Sequence, residues 1–361
     1  MKIALLNDTH CGIRNSGDIF LDNAAKFYDE VFFPYMREHN IKQIVHLGDY
    51  YDNRKAINIK ALHHNRKHFL EPMRELGIRM DIIPGNHDVY YKDTNNPNSL
   101  KELLGFFINE VAIIEKPKVM QYDSLKFAML PWINKSNYEE SMNFVRTCDA
   151  DMLGAHLELS GFDMMRGIKN EHGMDPSPFK RFKKVLTGHY HTKSSIDNIH
   201  YLGTQLEFFW NDAGDKKHFH ILDTETHEIT AIQNPHTLFK KIVYNDEKYE
   251  YTSVQDLTDK FVKVVVVNKS NPKMFEDFID KIQDQNIHEL KIAENFDDIL
   301  SDVDDDKLVV EDTAMLLDTY VDAINTDLSK DKLKTDMRSL YNQAQALELV
   351  WRDILLKNSL R

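Results

Sequence analysis

The chain has 361 residues, room for two or three domains at roughly 150 residues each. With 42% hydrophobic and 29% charged residues it can bury a core, which excludes a chain disordered throughout. Lys plus Arg is 45 and Asp plus Glu is 58, a formal charge of −13; this excludes a protein that coats nucleic acid by net charge, but not an enzyme that handles it through metal ions and a local basic groove.

The only cysteines are Cys11 and Cys148, so a disulfide framework is excluded and a reducing compartment is expected. No apolar run approaches the length of about 18 residues that spans a bilayer. The apolar stretch Ile3-Ala4-Leu5-Leu6 is too short for a signal peptide, and a cytoplasmic protein with no membrane contact is expected.

Residues 2–6 read as a strand that stops at Asn7-Asp8. A helix follows over 20–40, with Phe27, Val31 and Tyr35 at helical spacing. Residues 44–47 form the next strand, broken by Gly48; a polar helix over 57–76 leads to a strand at 80–83 closed by Pro84-Gly85. This alternation predicts layered α/β architecture, with polar residues just beyond the strand ends where open α/β sheets place their sites. From about 113 the texture becomes shorter strands and turns, with strands predicted at 127–130, 152–155, 184–187 and 218–222. A second unit begins near Leu238. It has a strand at 261–267, a helix over 272–285 with Met274, Phe278 and Ile282 on one face, and a strand at 289–293. Residues 294–318 carry ten acidic side chains against Lys307 and read as a solvated linker or helix face. Two amphipathic helices close the chain, one through Leu317, Val321 and Ile324, the other through Leu340, Leu347 and Trp351. The predicted organisation is an α/β sandwich domain over 1–237, a small α+β capping domain over 238–293, an acidic linker over 294–312 and C-terminal helices over 313–361.

Five short motifs fall at predicted strand ends: Asp8-Thr9-His10, Gly48-Asp49, Gly85-Asn86-His87-Asp88, Gly154-Ala155-His156 and Gly188-His189-Tyr190-His191. Glycine in four of them lets the backbone turn sharply enough to aim a side chain at a shared centre. The one-residue spacings Asp8/His10 and His189/His191 project two side chains the same way from extended chain. Besides His87 the set offers two Asp, one Asn and four His. These nitrogen and oxygen donors suit manganese, iron or zinc better than calcium, and the lack of thiolates disfavours a structural zinc. Seven donors exceed the needs of one ion and match two that share a bridging carboxylate, a pair that can activate water against a phosphate ester.

In this order the motifs resemble the calcineurin-like metallophosphoesterases, whose pattern is D-x-H, G-D, G-N-H-D/E, H and G-H-x-H. The extension Asp8-Thr9-His10-Cys11-Gly12, and the stretch from Tyr201-Leu202-Gly203-Thr204 to His218–Asp223, narrow the likeness to the SbcD-type DNA repair nucleases and their T-even-like phage branch. The resemblance implies that Asp8, His10, Asp49 and His191 hold one ion, and that Asp49 bridges to a second completed by Asn86, His156 and His189. It implies that His87 is not a ligand but faces the scissile phosphate and stabilises or protonates the leaving oxygen, with Asp88 orienting His87 or its loop. It favours Mn2+, with Mg2+, Zn2+ or Fe2+ open. It further implies double-strand exonuclease and single-strand or hairpin endonuclease activity on DNA, in recombination and repair. The implied partner is a coiled-coil ABC/SMC-type ATPase clasped by the C-terminal helices, with a homodimer inside a heterotetramer, in the host cytoplasm if the source is viral. Several cellular members carry histidine three residues after the Gly-Asp aspartate; here that position is Asp52.

Plainer readings compete elsewhere. His46 reads as a buried, hydrogen-bonded core residue, while His63, His64 and His68 read as a solvated helix face. Phe208, Phe209 and Trp210 read as core before base-stacking platform. Basic clusters at Arg54-Lys55, from Arg166 to Lys169, and at Lys180-Arg181-Lys183-Lys184 are candidates for phosphate contact. No G-x-x-x-x-G-K-[ST] loop occurs, so any ATP chemistry belongs to another subunit. The rival readings are another enzyme with the same centre (a phosphomonoesterase, protein phosphatase or cyclic-nucleotide phosphodiesterase) and a non-catalytic scaffold that keeps the fold.

Overall fold

A computed structural model describes residues 1–165, 168–247, 254 and 256–294, and beyond them 321, 329, 330, 332–335 and 337. The chain divides into two compact units, 1–299 and 300–361. In the second unit residues 321, 330, 332–335 and 337 are helical, and the predicted linker and C-terminal helices otherwise lie outside the described residues.

Two six-stranded sheets build the first unit. In one, the strands lie in the order Ile229–Gln233, His218–Asp223, Lys2–Leu6, Gln43–His46, Arg79–Ile82 and Val111–Ile113, the last four mutually parallel. In the other the order is Ser194–Ile196, Ile199–Tyr201, Lys184–Gly188, Met152–His156, Leu125–Leu130 and Lys118–Tyr122, with parallel strands in the centre and an antiparallel strand at each edge. Period-two alternation splits each buried strand between two cores. Ile3, Leu5, Val45 and Leu47 meet Phe127, Met129, Met152 and Leu186 between the sheets. On the far side of the second sheet, Leu153, Ala155 and Val185 pack with Met142 and Val145 of the helix Tyr138–Thr147. The apolar side of that helix is short: Met142 and Val145 are buried and Phe144 packs beside them, too few for a clear helical period in the sequence.

Helices cover the first sheet's outer face. The helix predicted over 20–40 runs from Asp18 to Glu38, with a π-helical turn at Tyr28–Phe32; that predicted over 57–76 runs from Ile59 to Glu75, with a π-helical turn at Arg66–Leu70. Phe27 and Phe32 reach Phe219 on the sheet at 6.0 and 5.2 Å between ring centres, and Tyr28 meets Phe69 at 4.9 Å, tying the two helices together. Helix, sheet, sheet, helix is the layered α/β sandwich.

A third, parallel sheet joins Phe239–Asn245, Phe261–Asn268 and Glu289–Ala293. The helix Pro272–Gln283 starts where Asn271 accepts the N–H of Met274, and it buries Phe275, Phe278, Ile279 and Ile282 on Ile242, Tyr244, Val262 and Val264. This sheet meets the layers of the sandwich through Trp210, Leu238 and Phe239, with Phe20 and Phe261 alongside. Among the described residues no helix is long and apolar enough to cross a membrane.

Candidate metal centre

Because the strands bearing the five motifs run parallel within their sheets, the motifs emerge where those strands end. Leu6 leads to Asp8 and His10, His46 to Asp49, Ile82 to Asn86 and His87, while His156 and Gly188 are the last residues of their strands. The side chains converge across the seam between the sheets. Asp8, His10 and His191 offer donor atoms within 4.8 Å of one another, and Asp49, His156 and His189 do the same. Nε2 of His10 stands 3.0 Å from Nε2 of His191. The Asn86 amide oxygen lies 2.9 Å from both Nε2 of His156 and Nδ1 of His189.

The backbone is strained where these side chains attach. Asp8, His10, Asp49 and His189 have φ of 47°, 41°, 55° and 90°. A left-handed conformation costs a non-glycine residue on the order of 1–2 kcal/mol, and four such residues in one centre mark a functional site. The cost is met by backbone hydrogen bonds. The N–H of His189 donates to the Asp8 carboxylate at 3.0 Å, that of His87 donates to Asp49 Oδ1 at 2.7 Å, and that of Asp8 donates to the carbonyl of Gly48 at 2.9 Å.

The polar geometry asks for positive charge. Nδ1 of His156 faces the carbonyl oxygen of Leu47 at 2.8 Å and must donate to it. Nε2 of that ring then faces the Asn86 oxygen and, at 3.2 Å, Oδ2 of Asp49. An imidazole nitrogen set against two oxygens requires a proton or a metal cation between them. The protein groups taken alone give the same answer. Burial opposes a charge on His10 and on His156, yet Asp52, Asp49 and Asp8 around the first, and Asp49 and Asp8 around the second, push both up to about 9. Burial would raise the Asp49 carboxyl, but His156, His87 and His10 hold it well below the usual range. Asp8 is pushed up to about 6 by burial, against the pull of His156. Burial lowers His189 to about 3 and His191 well below the usual value, so these rings stay neutral and keep lone pairs for a metal. Donor types and charge demand both fit divalent cations held by nitrogen and oxygen.

His87 also lies here. His10, Asp52 and His87 approach one another within 4.8 Å, but Nδ1 of His87 donates to the Asp52 carbonyl oxygen at 2.6 Å and is spent there. The Asp88 carboxylate does not reach the His87 ring. It accepts main-chain hydrogens from Gly85, Asp49, Tyr50 and Tyr51, so it orients the loops rather than the imidazole.

Some participants left little trace in the sequence. Asn7 bonds both the Asp8 carboxylate and the Gly203 carbonyl. Trp132 follows a parallel strand end and sets its ring 5.8 Å from His156 and 5.4 Å from His189; its position after Leu125–Leu130 was the available signal. Phe208 packs 5.7 Å from both His10 and His191 and is buried with Phe209 and Trp210, which places all three in the core. His46 is buried and hydrogen-bonded to Thr9 at 3.0 Å. His64 and His68 pair with Asp22 and Asp29.

The basic clusters fare differently. Arg54 is half-buried and Lys55 exposed in the loop just after Asp52, and Lys169 is exposed; Arg166 lies outside the described residues. The Lys180–Lys184 cluster is not beside the centre. Lys184 starts the strand whose other end is Gly188, roughly 13 Å away at 3.3 Å per residue. Lys180 and Lys183 pair with Asp197 and Asp151, Arg181 donates to the Val145 and Cys148 carbonyls, and Lys184 donates to His227.

The family profile described as calcineurin-like phosphoesterase matches residues 1–231. Exonuclease subunit 1 of Enterobacteria phage T4 is 30% identical over 352 residues, 95% of this chain and 99% of the phage protein. The SbcD component of the SbcCD nuclease from Staphylococcus epidermidis is 23% identical over 261 residues, 63% of this chain and 67% of that protein. A solved structure described as a novel archaeal phosphodiesterase covers 65% of this chain and all of its own, at 17% identity and a TM-score of 0.34.

Proposed function

Given that the chain belongs to the calcineurin-like phosphoesterase family, we propose that it is a metal-dependent DNA nuclease subunit that hydrolyses phosphodiesters. The observation that carries this reading is the convergence of seven nitrogen and oxygen donors from separate strand ends on one charge-demanding centre, in a chain similar to nuclease subunits over most of its length.

In this reading Asp8, His10 and His191 hold one divalent ion, Asn86, His156 and His189 a second, and Asp49 serves both. Mn2+ is the proposed ion. Bound there, two such ions supply Lewis acidity to the attacking water and to the phosphoryl oxygens. The chain's own groups do the rest. Leu47 fixes the His156 ring through Nδ1, and the Asp52 carbonyl fixes His87 the same way, so Nε2 of His87 is the atom left to face a leaving oxygen. Burial lowers the proton affinity of His87, which makes its protonated form a stronger acid toward that oxygen. The left-handed turns at Asp8, His10 and Asp49 hold the donors in place before substrate arrives.

Residues 1–237 are the proposed nuclease domain, 238–293 a capping domain for DNA, 294–312 a linker and 313–361 a docking element for an ATPase with a coiled coil, within a heterotetramer built on a homodimer. The support is that the curated relatives are named as subunits, that the third sheet has a core of its own, and that no phosphate-binding loop for ATP occurs in this chain. Arg54, Lys55, Arg166 and Lys169 are the proposed phosphate contacts.

The test offers one preparation, with Mn2+, labelled duplex DNA, single-stranded DNA and a phosphomonoester. Cleavage of both DNAs with far slower release from the monoester is expected. His87→Ala is expected to lower DNA cleavage by roughly 100-fold or more while metal content stays nearly unchanged. Hydrolysis of the monoester alone favours the phosphomonoesterase reading.

A further inference from the structure

Asp52 reaches two imidazoles of the centre by two routes. Its carbonyl oxygen takes the Nδ1 hydrogen of His87 at 2.6 Å. Its carboxylate Oδ1 stands 3.4 Å from Nδ1 of His10. That nitrogen is buried and makes no hydrogen bond among the described residues, while Nε2 of the same ring is turned toward His191. A carboxylate behind an imidazole favours the tautomer with hydrogen on the near nitrogen. It thereby leaves the lone pair on the far nitrogen and strengthens it as a donor to a cation. At 3.4 Å the contact is a few tenths of an ångström longer than a good N–H···O bond, a gap that a small turn of a partly exposed carboxylate closes. Asp52 lines a 340 Å³ cleft together with Cys11, Gly12, Asn15 and Asn58, which leaves open space beside its carboxylate.

We propose that Asp52 is a positioning residue for the metal centre: its carboxylate holds His10 with the hydrogen on Nδ1 and Nε2 toward the cation, while its carbonyl separately holds His87. The inference rests on the reading of the seven donors as a two-ion centre. It makes a sharp distinction, because a side-chain substitution removes the hold on His10 and leaves the backbone hold on His87 in place.

The test measures Mn2+ binding to the full chain from the free-ion electron paramagnetic resonance signal, for the native sequence, Asp52→Ala, Asp52→Asn and Asn53→Ala. Asp52→Asn is isosteric and guards against a folding defect. Asn53→Ala is the loop control: the Asn53 side chain accepts the N–H groups of Lys55 and Ala56, so its loss disturbs the same loop and spares the carboxylate. The native chain is expected to bind two ions. Both Asp52 variants are expected to weaken one of them by about 10- to 100-fold, and Asn53→Ala to bind like the native chain. Phosphodiester hydrolysis by Asp52→Ala is expected to recover most of its kcat at saturating Mn2+. Native affinity in both Asp52 variants overturns the proposal, as does an equal loss in Asn53→Ala. Failure of the native chain to bind Mn2+ is a separate result, and it overturns the centre itself.

Discussion

The main-chain N–H of Asp49 donates to the Asp88 carboxylate at 2.8 Å, so a residue of the third motif holds a residue of the second. The same carboxylate accepts from Gly85 at 2.9 Å, Tyr50 at 3.0 Å and Tyr51 at 3.2 Å. Four buried donors therefore depend on one fully buried side chain. Asp88→Ala strands those donors and is expected to cost about 3 kcal/mol or more, read from urea unfolding, and to weaken Mn2+ binding. Asp88→Asn, which keeps an acceptor oxygen, is expected to fall between. Native stability in Asp88→Ala would remove the carboxylate from its role as the clasp between the two loops.

Gly48 carries a second prediction. Its φ is +93°, and a Cβ there would stand 2.7 Å from Nδ1 of His156 and 2.8 Å from the Gly85 backbone. Gly48→Ala is therefore expected to displace the His156 ring from the Leu47 carbonyl and to lower both stability and metal affinity. Gly77 provides the comparison: its φ is +62°, but a Cβ there meets nothing within 4 Å. Gly77→Ala is expected to cost only the backbone strain, about 1 kcal/mol, with metal binding unchanged. Equal metal affinity in the two variants contradicts the close packing around His156.

The candidate donors were legible in the sequence because they sit in short motifs at the ends of parallel strands, where period and turn signals are strongest, and the structure brings these side chains together. The family resemblance read from those motifs is the one the profile and the curated relatives show. What the sequence withheld depends on three-dimensional neighbours. Nothing local says that Asp88 holds backbone instead of the His87 ring, or that Trp132 comes to lie beside His156 and His189. Likewise, the basic cluster ending at Lys184 is a candidate for phosphate contact by sequence, yet Lys184 starts the strand whose opposite end is Gly188. The left-handed backbone at Asp8, His10 and Asp49 is also silent in the sequence, since these positions carry no glycine.

Glu207 couples the catalytic layers to the third sheet and gives a pH prediction. Its Oε2 accepts the N–H groups of Leu238 and Phe239 at 2.6 and 2.9 Å, while Oε1 is buried without a hydrogen-bond partner among the described residues. Burial pushes its carboxyl up from 4.5 to about 7, against the pull of the Phe239 and Leu238 N–H groups. The folded chain thus holds this proton more tightly than the unfolded chain does. The resulting stabilisation, on the order of 3 kcal/mol, is full below about pH 4.5 and is lost as pH rises through about 7. Glu207→Gln keeps the size and an acceptor oxygen but cannot titrate. Its unfolding free energy is expected to vary less between pH 5 and 8 than that of the native chain, and identical slopes contradict the assignment.

The most direct test of the centre is anomalous scattering from crystals of the chain soaked in Mn2+. Two peaks about 4 Å apart are expected, one among Asp8, His10 and His191, the other among Asn86, His156 and His189, with Asp49 touching both. A single peak, or manganese bound away from these seven side chains, contradicts the account.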